Sequence, residues 1–593
     1  MALLNAIFGF SLTAVLLCTQ PVLADAPSGT VVERQQRRVE TIARIAPSVV
    51  CVMPPGGQGG GSGVLISADG FAISNYHVTS GSGNFMKCGL NNGKLYDAVI
   101  VGIDPTGDIA LIKLLGRDDF PFCTPGDSDH VQTGDEVLAL GNPFLLAADF
   151  TPTVTYGIVS GVHRYQYPAG TFLEYTDCIQ IDASINPGNS GGPLFDIDGR
   201  WIGINGRASF EKRGRINSGA AYAISVRQIL LFIDHLKSGR IVDHGRTDFT
   251  VGTAADGLVE VQEVSEISEA WRRGLRPGDE LVSFGKRALT SANDFKTILG
   301  IFPAGIRVPM TSRNRDGVHR STVRLLPLHG FDSAPQLPEK RKPQKRPGNP
   351  DEDPDGEPDS PHDEAKPEIP EQYAHLFKEK KAFTNFYFNE LNLGRLLDPL
   401  QESLAGSESN RTATWSISWK SPNGGIAGDL IVGTEGAGLR TGEDNWHQPI
   451  EDQHPSNEAA SLWGVLSAAL QWHRLFQTDL DLFSEVVYVG TESLAPSGRL
   501  VETVFIQDGA IESRWYFTAE SPLPIGVDVM MSAGFDEARI RFDGWEHGTI
   551  PSPRRIGIVD SETEQIQWLT VEAVDVKSRA VKDNAGNQEP AAP

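Results

Sequence analysis

Cysteine is scarce, with only Cys18, Cys51, Cys88, Cys123 and Cys178 in 593 residues. No Cys-x-x-Cys pair and no Cys/His cluster has zinc spacing, so no metal site is expected. Basic charge is in deficit: 52 Lys and Arg face 76 Asp and Glu, for a net charge of -24. That sign argues against a nucleic-acid partner. Long apolar runs are absent beyond the first two dozen residues, so the rest of the chain is not built to cross a membrane as helices. What is present fits several globular domains, with 40% hydrophobic and 22% charged residues.

The single apolar run, Ala2 to Leu17, is followed by the small residues Ala24-Asp25-Ala26. Residues 1–26 therefore read as a secretory signal peptide, which implies an exported, periplasmic or envelope location. No Lys or Arg precedes the run, and an uncleaved anchor is the alternative, since Ala2 to Ala24 is about long enough to span a bilayer. In an oxidising compartment the four remaining cysteines have three possible pairings, or they stay as buried thiols.

The richest stretch is Asn186-Pro187-Gly188-Asn189-Ser190-Gly191-Gly192-Pro193-Leu194. Glycines on both sides of a hydroxyl let the backbone bend tightly and aim its N–H groups at one point. Such amides can hold the negative oxygen of a tetrahedral intermediate. Ser190 is thus a candidate nucleophile, with an oxyanion hole at Gly188, Asn189 and Ser190. A serine needs a base and a group that orients it. His77, in Asn75-Tyr76-His77-Val78, and Asp108, in Asp108-Ile109-Ala110-Leu111, supply both. The order His, Asp, Ser is that of chymotrypsin-type double barrels.

Short strand-like runs separated by turns, including Asn92-Gly93, argue for an all-β first barrel, and a second is expected from about Glu136 to Ile224. Val31 to Ile45 reads as an amphipathic helix with Val39, Ile42 and Ile45 on one face. Asp196-Ile197-Asp198-Gly199 reads as a hairpin turn rather than a calcium loop.

Residues from about Ala46 to Val226 resemble the HtrA/DegP (Do-like) serine proteases. The resemblance is carried by Gly61-Ser62-Gly63-Val64, Asn75-Tyr76-His77-Val78, Asp108-Ile109-Ala110-Leu111, Gly126-Asp127-Ser128-Asp129, Gly141-Asn142-Pro143-Phe144, Gly157-Ile158-Val159-Ser160 and the Ser190 run. It implies His77 as general base, Asp108 as its orienting partner and Ser190 as nucleophile, with no cofactor. It also implies unfolded or damaged envelope proteins as substrates, and a trimer or larger homo-oligomer. By position the specificity pocket is lined by Ile185, Arg207, Ala208 and Ser209, whose small second wall implies a roomier pocket. In such a double barrel the strands bearing Cys51 and Cys88 are neighbours, which favours that bridge. The stretch from Phe144 to Thr153 is longer than relatives show, as a regulatory insertion or as a passive loop.

The segment from about Asp248 to Leu326 resembles a PDZ domain, most specifically through Gly274-Leu275-Arg276-Pro277-Gly278-Asp279. PDZ domains capture peptide C-termini by strand addition, and the carboxylate loop is expected at Asp256-Gly257-Leu258-Val259. Residues 331–372 are rich in proline and charge and read as a disordered linker. The remainder holds 8 of the 10 tryptophans, Trp415, Trp419, Trp446, Trp463, Trp472, Trp515, Trp545 and Trp568. Helices followed by alternating runs suggest an α+β domain with an antiparallel curled sheet. Its outline is similar to LolA-like envelope proteins, with no motif behind the similarity, which implies a lipid or peptide cavity; tryptophans filling a core are the alternative. His447, His454, His473 and His547 lack metal-site spacing.

The expected organisation is multidomain: signal peptide 1–26, all-β chymotrypsin-like double β-barrel protease domain 27–246, PDZ domain 247–330, linker 331–372, α+β C-terminal domain 373–580 and disordered tail 581–593. The expected activity is that of an exported serine endopeptidase regulated by its PDZ domain. The alternative is an envelope chaperone or sensor whose PDZ and C-terminal domains bind clients.

Overall fold

The structure is a computed structural model that describes residues 29–54, 60–142, 149–166, 175–210, 217–329, 369–404, 413–421, 427–434, 436–441, 444–449, 460–477, 480–494, 497–530, 535–547 and 550–577. The expected signal peptide, most of the linker and the tail lie outside these residues.

Helix α1 (Gly29–Ile45) leads into strands β1 (Val49–Met53), β2 (Gly61–Leu65) and β3 (Phe71–Ser74). A single turn, α2 (Tyr76–Thr79), follows, then β4 (Phe85–Leu90), β5 (Leu95–Asp104) and β6 (Ile109–Leu114). These six strands close into a barrel in the order β1-β2-β3-β6-β5-β4. The second barrel comprises β7 (Glu136–Gly141), β8 (Thr153–Gln166), β9 (Tyr175–Ile181), β10 (Pro193–Asp196), β11 (Trp201–Phe210) and β12 (Asn217–Ser225). Its order is β10-β11-β12-β9-β8-β7. The chymotrypsin-like double barrel is therefore present. Closure removes the strand edges that open sheets must protect. On α1, Ile45 is buried and Ile42 packs on the core, but Val39 is exposed; Thr41 takes the buried position instead.

The expected Cys51–Cys88 bridge does not form. Cys51 stands opposite Gly89 and Cys88 opposite Val52, so the two side chains leave opposite faces of the same strand pair. Cys51, Cys88, Cys123 and Cys178 are all buried free thiols.

Helix α3 (Val226–Lys237) leaves the second barrel, capped by the Ser225 hydroxyl. The middle domain follows: β13 (Gly245–Arg246), β14 (Phe249–Thr253), β15 (Val259–Val264), α4 (Glu269–Arg272), β16 (Glu280–Phe284), β17 (Arg287–Ala288), α5 (Ala292–Leu299), β18 (Arg307–Asn314), β19 (Gly317–Arg324) and β20 (Leu326–Pro327). Its sheet runs β14-β15-β16-β18-β19, leaving β14 at one edge beside α5. The pairing of β13 with β20 puts the start of this domain at Gly245, slightly before the expected 247.

The expected linker becomes ordered before its end. Ile369 and Tyr373 pack on the core of the double barrel, and Tyr373 stacks on Phe85. Beyond lie α6 (Phe386–Leu404), β21 (Thr414–Lys420), β22 (Ala427–Gly433), β23 (Gly436–Thr441), β24 (Asp444–Pro449) and α7 (Ala460–Phe476). Seven more strands complete the domain: β25 (Glu485–Leu494), β26 (Arg499–Asp508), β27 (Ile511–Thr518), β28 (Ser521–Met530), β29 (Ala538–His547), β30 (Pro551–Val559) and β31 (Ile566–Lys577). They form one 11-stranded antiparallel sheet from β24 to β25, with β21 paired to β31 in its middle. The expected helices-then-meander order is thus corrected: four strands separate the two helices. Helix α7 touches β22, β23 and β24 on one arm of the sheet and β28 and β29 on the other, so the sheet curls around it. Trp472 of α7 stacks on Trp515 at 6.0 Å and meets Trp545 at 5.3 Å. These described tryptophans fill a core.

The three asparagines of α6 and the turn before it fix this domain to the first barrel and to α3. Asn385 Nδ2 donates to Ile100 O at 3.1 Å, Asn389 Nδ2 to Ser238 O at 3.0 Å and Asn392 Nδ2 to Lys237 O at 3.2 Å. The last two satisfy carbonyls at the end of α3 that have no partner within their own helix.

Candidate active site

The site forms at the seam between the barrels. After β3 the chain turns through α2, which holds His77. The backbone oxygen of Asp108 accepts from Asn75 Nδ2 at 2.9 Å and from Tyr76 N at 3.2 Å. Asp104 holds the preceding turn, accepting from Thr106 N at 3.1 Å and Gly107 N at 2.8 Å. These contacts keep Asp108 at a φ of 59°, a left-handed conformation uncommon for residues other than glycine.

The Asp108 carboxylate is fully buried. One oxygen accepts the His77 backbone N–H at 3.0 Å, and the other lies 2.8 Å from His77 Nδ1. The His77 side chain keeps 40% exposure, so a substrate can reach it. Burial favours the neutral imidazole, but the hydrogen bond to Asp108 and its charge outweigh burial and hold the His77 pKa above its ordinary value.

Ser190 sits in a compact turn. Asn189 N donates to Asn186 O at 2.9 Å, Gly191 N to Asn205 O at 2.8 Å and Gly192 N to Asn189 O at 3.0 Å. Only glycine suits position 191: its φ is 82°, and a Cβ there would come within 2.2 Å of Ser62 O. Ser62 of the first barrel grips this turn, donating its N–H to Ser190 O at 2.9 Å and its hydroxyl to Gly188 O at 2.7 Å. Its mark in the sequence is the motif Gly61-Ser62-Gly63-Val64, which by itself does not point to this grip.

The structure pairs His77 with Asp108 and sets the Ser190 turn against β2 and β3. The Ser190 hydroxyl, however, donates to Gly206 O at 3.3 Å, and no hydrogen bond joins it to His77 among the described residues. Rotation about its side-chain bond is needed for proton transfer; unliganded sites often tighten only with substrate. The expected oxyanion hole needs one correction. The Asn189 N–H is spent on Asn186 O, which leaves Gly188 and Ser190, whose N–H groups have no acceptor among the described residues.

Of the expected specificity residues, Ile185 is buried. Arg207 and Ala208 lie on β11 opposite Tyr222 and Ala221, while the side chains of Arg207, Ala208 and Ser209 fall outside the described residues. The insertion is described only from Asp149 onward, where the Phe150 ring lies over Gly89 of the first barrel. Asp196–Gly199 is a hairpin turn between β10 and β11.

The expected carboxylate loop is not one. Asp256–Val259 is the tip of the β14–β15 hairpin: Gly257 N donates to Ala254 O at 3.0 Å and Leu258 N to Asp256 Oδ1 at 3.1 Å. Those amides are spent inside the turn and cannot cradle a ligand. In the C-terminal domain His473 Nε2 faces Ala413 O at 2.9 Å. No group of three or more His, Cys, Asp or Glu side chains is placed to hold a metal among the described residues.

Residues 61–204 match the trypsin-like peptidase domain family. A probable periplasmic serine endoprotease, DegP-like, from Chlamydia muridarum is 34% identical over 259 residues, which is 42% of this chain and 50% of that protein. The protein of the same description from Halomonas elongata is 31% identical over 289 residues, 46% of this chain and 58% of its own. The solved HtrA-type protease AlgW with tripeptide is 29% identical with a TM-score of 0.40, and covers 50% of this chain and 99% of that one. The chain spans about half the length of the curated relatives it matches.

Proposed function

We propose that this chain, a member of the HtrA/DegP family, is an exported serine endopeptidase of the periplasm or cell envelope. The observation that carries the reading is the His77 Nδ1–Asp108 pair at 2.8 Å, set at the seam against a Ser190 turn held by Ser62. In this reading Ser190 Oγ attacks a peptide carbonyl while His77 Nε2 takes its proton. Asp108 holds the imidazole tautomer and stabilises its charged form. The N–H groups of Gly188 and Ser190 bind the developing oxyanion. His77 then gives the proton to the leaving amine, and water hydrolyses the acyl-serine.

Unfolded or damaged envelope proteins are the substrate class this family membership supports, and a homo-oligomer the assembly. The middle domain is read as a PDZ domain that binds peptide C-termini and regulates cleavage. With Asp256–Val259 folded into a turn, β14, the edge strand beside α5, is the better place for strand addition. A chaperone or sensor is the second reading, and the Ser190 hydroxyl turned toward Gly206 favours it.

Casein digestion and fluorophosphonate labelling of the wild type and Ser190→Ala separate the two. Turnover and labelling by the wild type, both lost in the variant, support the protease. Equal turnover, or none with activating peptide present, overturns it.

A further inference from the structure

The buried Asp108 carboxylate collects three donors, and only two come from His77. The third is the Tyr175 hydroxyl, which donates to Oδ2 at 2.5 Å, the same oxygen that faces His77 Nδ1. We propose that Tyr175 is a positioning residue for proteolysis, setting the orientation of Asp108 and, through it, the basicity of His77. The inference rests on the reading of Ser190 as nucleophile.

Three observations carry it. Tyr175 is the first residue of β9 and only 3% exposed, so its ring is fixed by packing. A Cβ at Gly206 would come within 2.6 Å of that ring, so glycine at 206 lets β11 close on it. Gly206 O is in turn the acceptor of the Ser190 hydroxyl. Tyr175 thus meets the acid through its oxygen and the neighbour of the nucleophile through its ring. The sequence carried no sign of this, because Tyr175 lies 67 positions from Asp108 and in no motif.

The chemistry follows from the shared oxygen. A carboxylate can rotate about its bond to Cβ, and each donor removes some of that freedom. With Tyr175 on Oδ2, Oδ1 is left to face the His77 backbone N–H and Oδ2 to face the imidazole. The phenol also draws charge from Oδ2, which tempers the pull of Asp108 on the Nδ1 proton. Removing the hydroxyl leaves the carboxylate less compensated, so it holds the imidazolium more firmly.

The test uses the full chain. Tyr175→Phe keeps the ring and deletes the donor. Its kcat on a peptide substrate should fall about 3- to 10-fold, with KM within about twofold. The acid limb of its kcat/KM profile should move to higher pH by about half to one unit. A residue that only fills space would not move that limb. Replacing Tyr175 with 3-fluorotyrosine, a stronger donor of nearly the same shape, should move the limb the other way. This arm stands even where Tyr175→Phe fails to fold. An acid limb unmoved in the fluorotyrosine protein overturns the inference. Wild-type turnover no greater than that of Ser190→Ala overturns the protease reading itself, so the two failures are told apart.

Discussion

Arg307 of the middle domain places a guanidinium nitrogen 2.9 Å from a carboxylate oxygen of Glu537 in the C-terminal domain, 230 residues further along the chain. Both side chains are almost wholly buried. Arg324 joins the same carboxylate and reaches Asp528 at 2.8 Å, while Arg272 and Arg273 reach Asp536 at 2.7 and 2.9 Å. The C-terminal domain is therefore bound to the middle domain by charge and to the protease domain by the asparagines of α6. The C-terminal domain thus bridges the other two, tying the middle domain to the barrels through a second route besides the chain itself.

Glu537→Gln leaves Arg307 and Arg324 short of a counter-charge in a buried site. The expected cost to docking is about 3–5 kcal/mol. Hydrogen exchange reads it as faster exchange in β18, β19 and β29, with the barrels unchanged; wild-type protection in those strands would refute the expectation. Acid should act late. Burial alone would raise the Glu537 pKa, but the charges of Arg324 and Arg307 hold it well below the usual carboxylate range. The stabilisation is complete above the unfolded glutamate value of about 4.3 and is lost only as pH falls below it. Docking should persist at pH 5.

His244 has the opposite pH dependence. Its Nε2 faces both oxygens of Asp104 at 3.0 Å, and its Nδ1 faces Gly300 O at 2.7 Å. Two acceptors call for two N–H donors, which only the charged ring has. Burial opposes that charge, but Asp104, the Gly300 carbonyl and Asp243 outweigh it and raise the His244 pKa; the Phe232 ring packs against the imidazole at 4.6 Å. The stabilisation is therefore full below the unfolded histidine value of about 6.5 and is lost as pH rises through the raised folded value. Thermal unfolding should show the wild type losing stability above neutral pH, with a smaller slope in His244→Gln. Parallel curves would count against this assignment.

Asp108→Asn tests the orienting role of the buried carboxylate. The amide keeps the shape but supplies the wrong partner for Nδ1–H, and kcat should fall by about 10⁴. The left-handed backbone at position 108 is compatible with asparagine, so folding should be retained. Circular dichroism and turnover measured on one preparation check both halves.

The candidate site was legible where chemistry is local in sequence. His77, Asp108 and the Ser190 turn each sit in a short motif whose glycines or caps serve the same few residues. Tyr175 and the Arg307–Glu537 contact could not be read, because they join segments 67 and 230 positions apart. The double barrel was legible from short strands and turn signals. The first arm of the C-terminal sheet, β21 to β24, was not, since strands such as Ala427–Gly433 and Gly436–Thr441 are rich in glycine and weak in alternation. The misplaced carboxylate loop has a similar cause: Asp256-Gly257 suits a tight hairpin turn as well as an open loop.

The thiols should remain unpaired whatever the compartment. The Cys51 and Cys88 side chains leave opposite faces of paired strands, and burial pushes the Cys123 thiol up to about 12. Iodoacetamide should leave these cysteines unmodified in the native protein and alkylate them after denaturation without reductant. Reductant should leave the unfolding midpoint unchanged; a fall would mean that a bridge exists.

Gly239 tests the joint between the protease and C-terminal domains. It follows α3 at a φ of 78°, and its carbonyl accepts Thr384 N at 2.8 Å and Asn385 N at 3.0 Å. A Cβ there would lie 2.1 Å from Asn385 O, a backbone atom that cannot swing aside. Gly116 has a φ of 98° with nothing near its missing Cβ. Alanine at position 116 should cost only the left-handed penalty of roughly 1–2 kcal/mol. Alanine at position 239 should cost that and also push the turn before α6 off α3, breaking the pairing of Arg240 with Phe383. Limited proteolysis should then cut Gly239→Ala within residues 376–392 and spare both Gly116→Ala and the wild type. Equal resistance in the two variants would mean that the α3–α6 joint yields without opening.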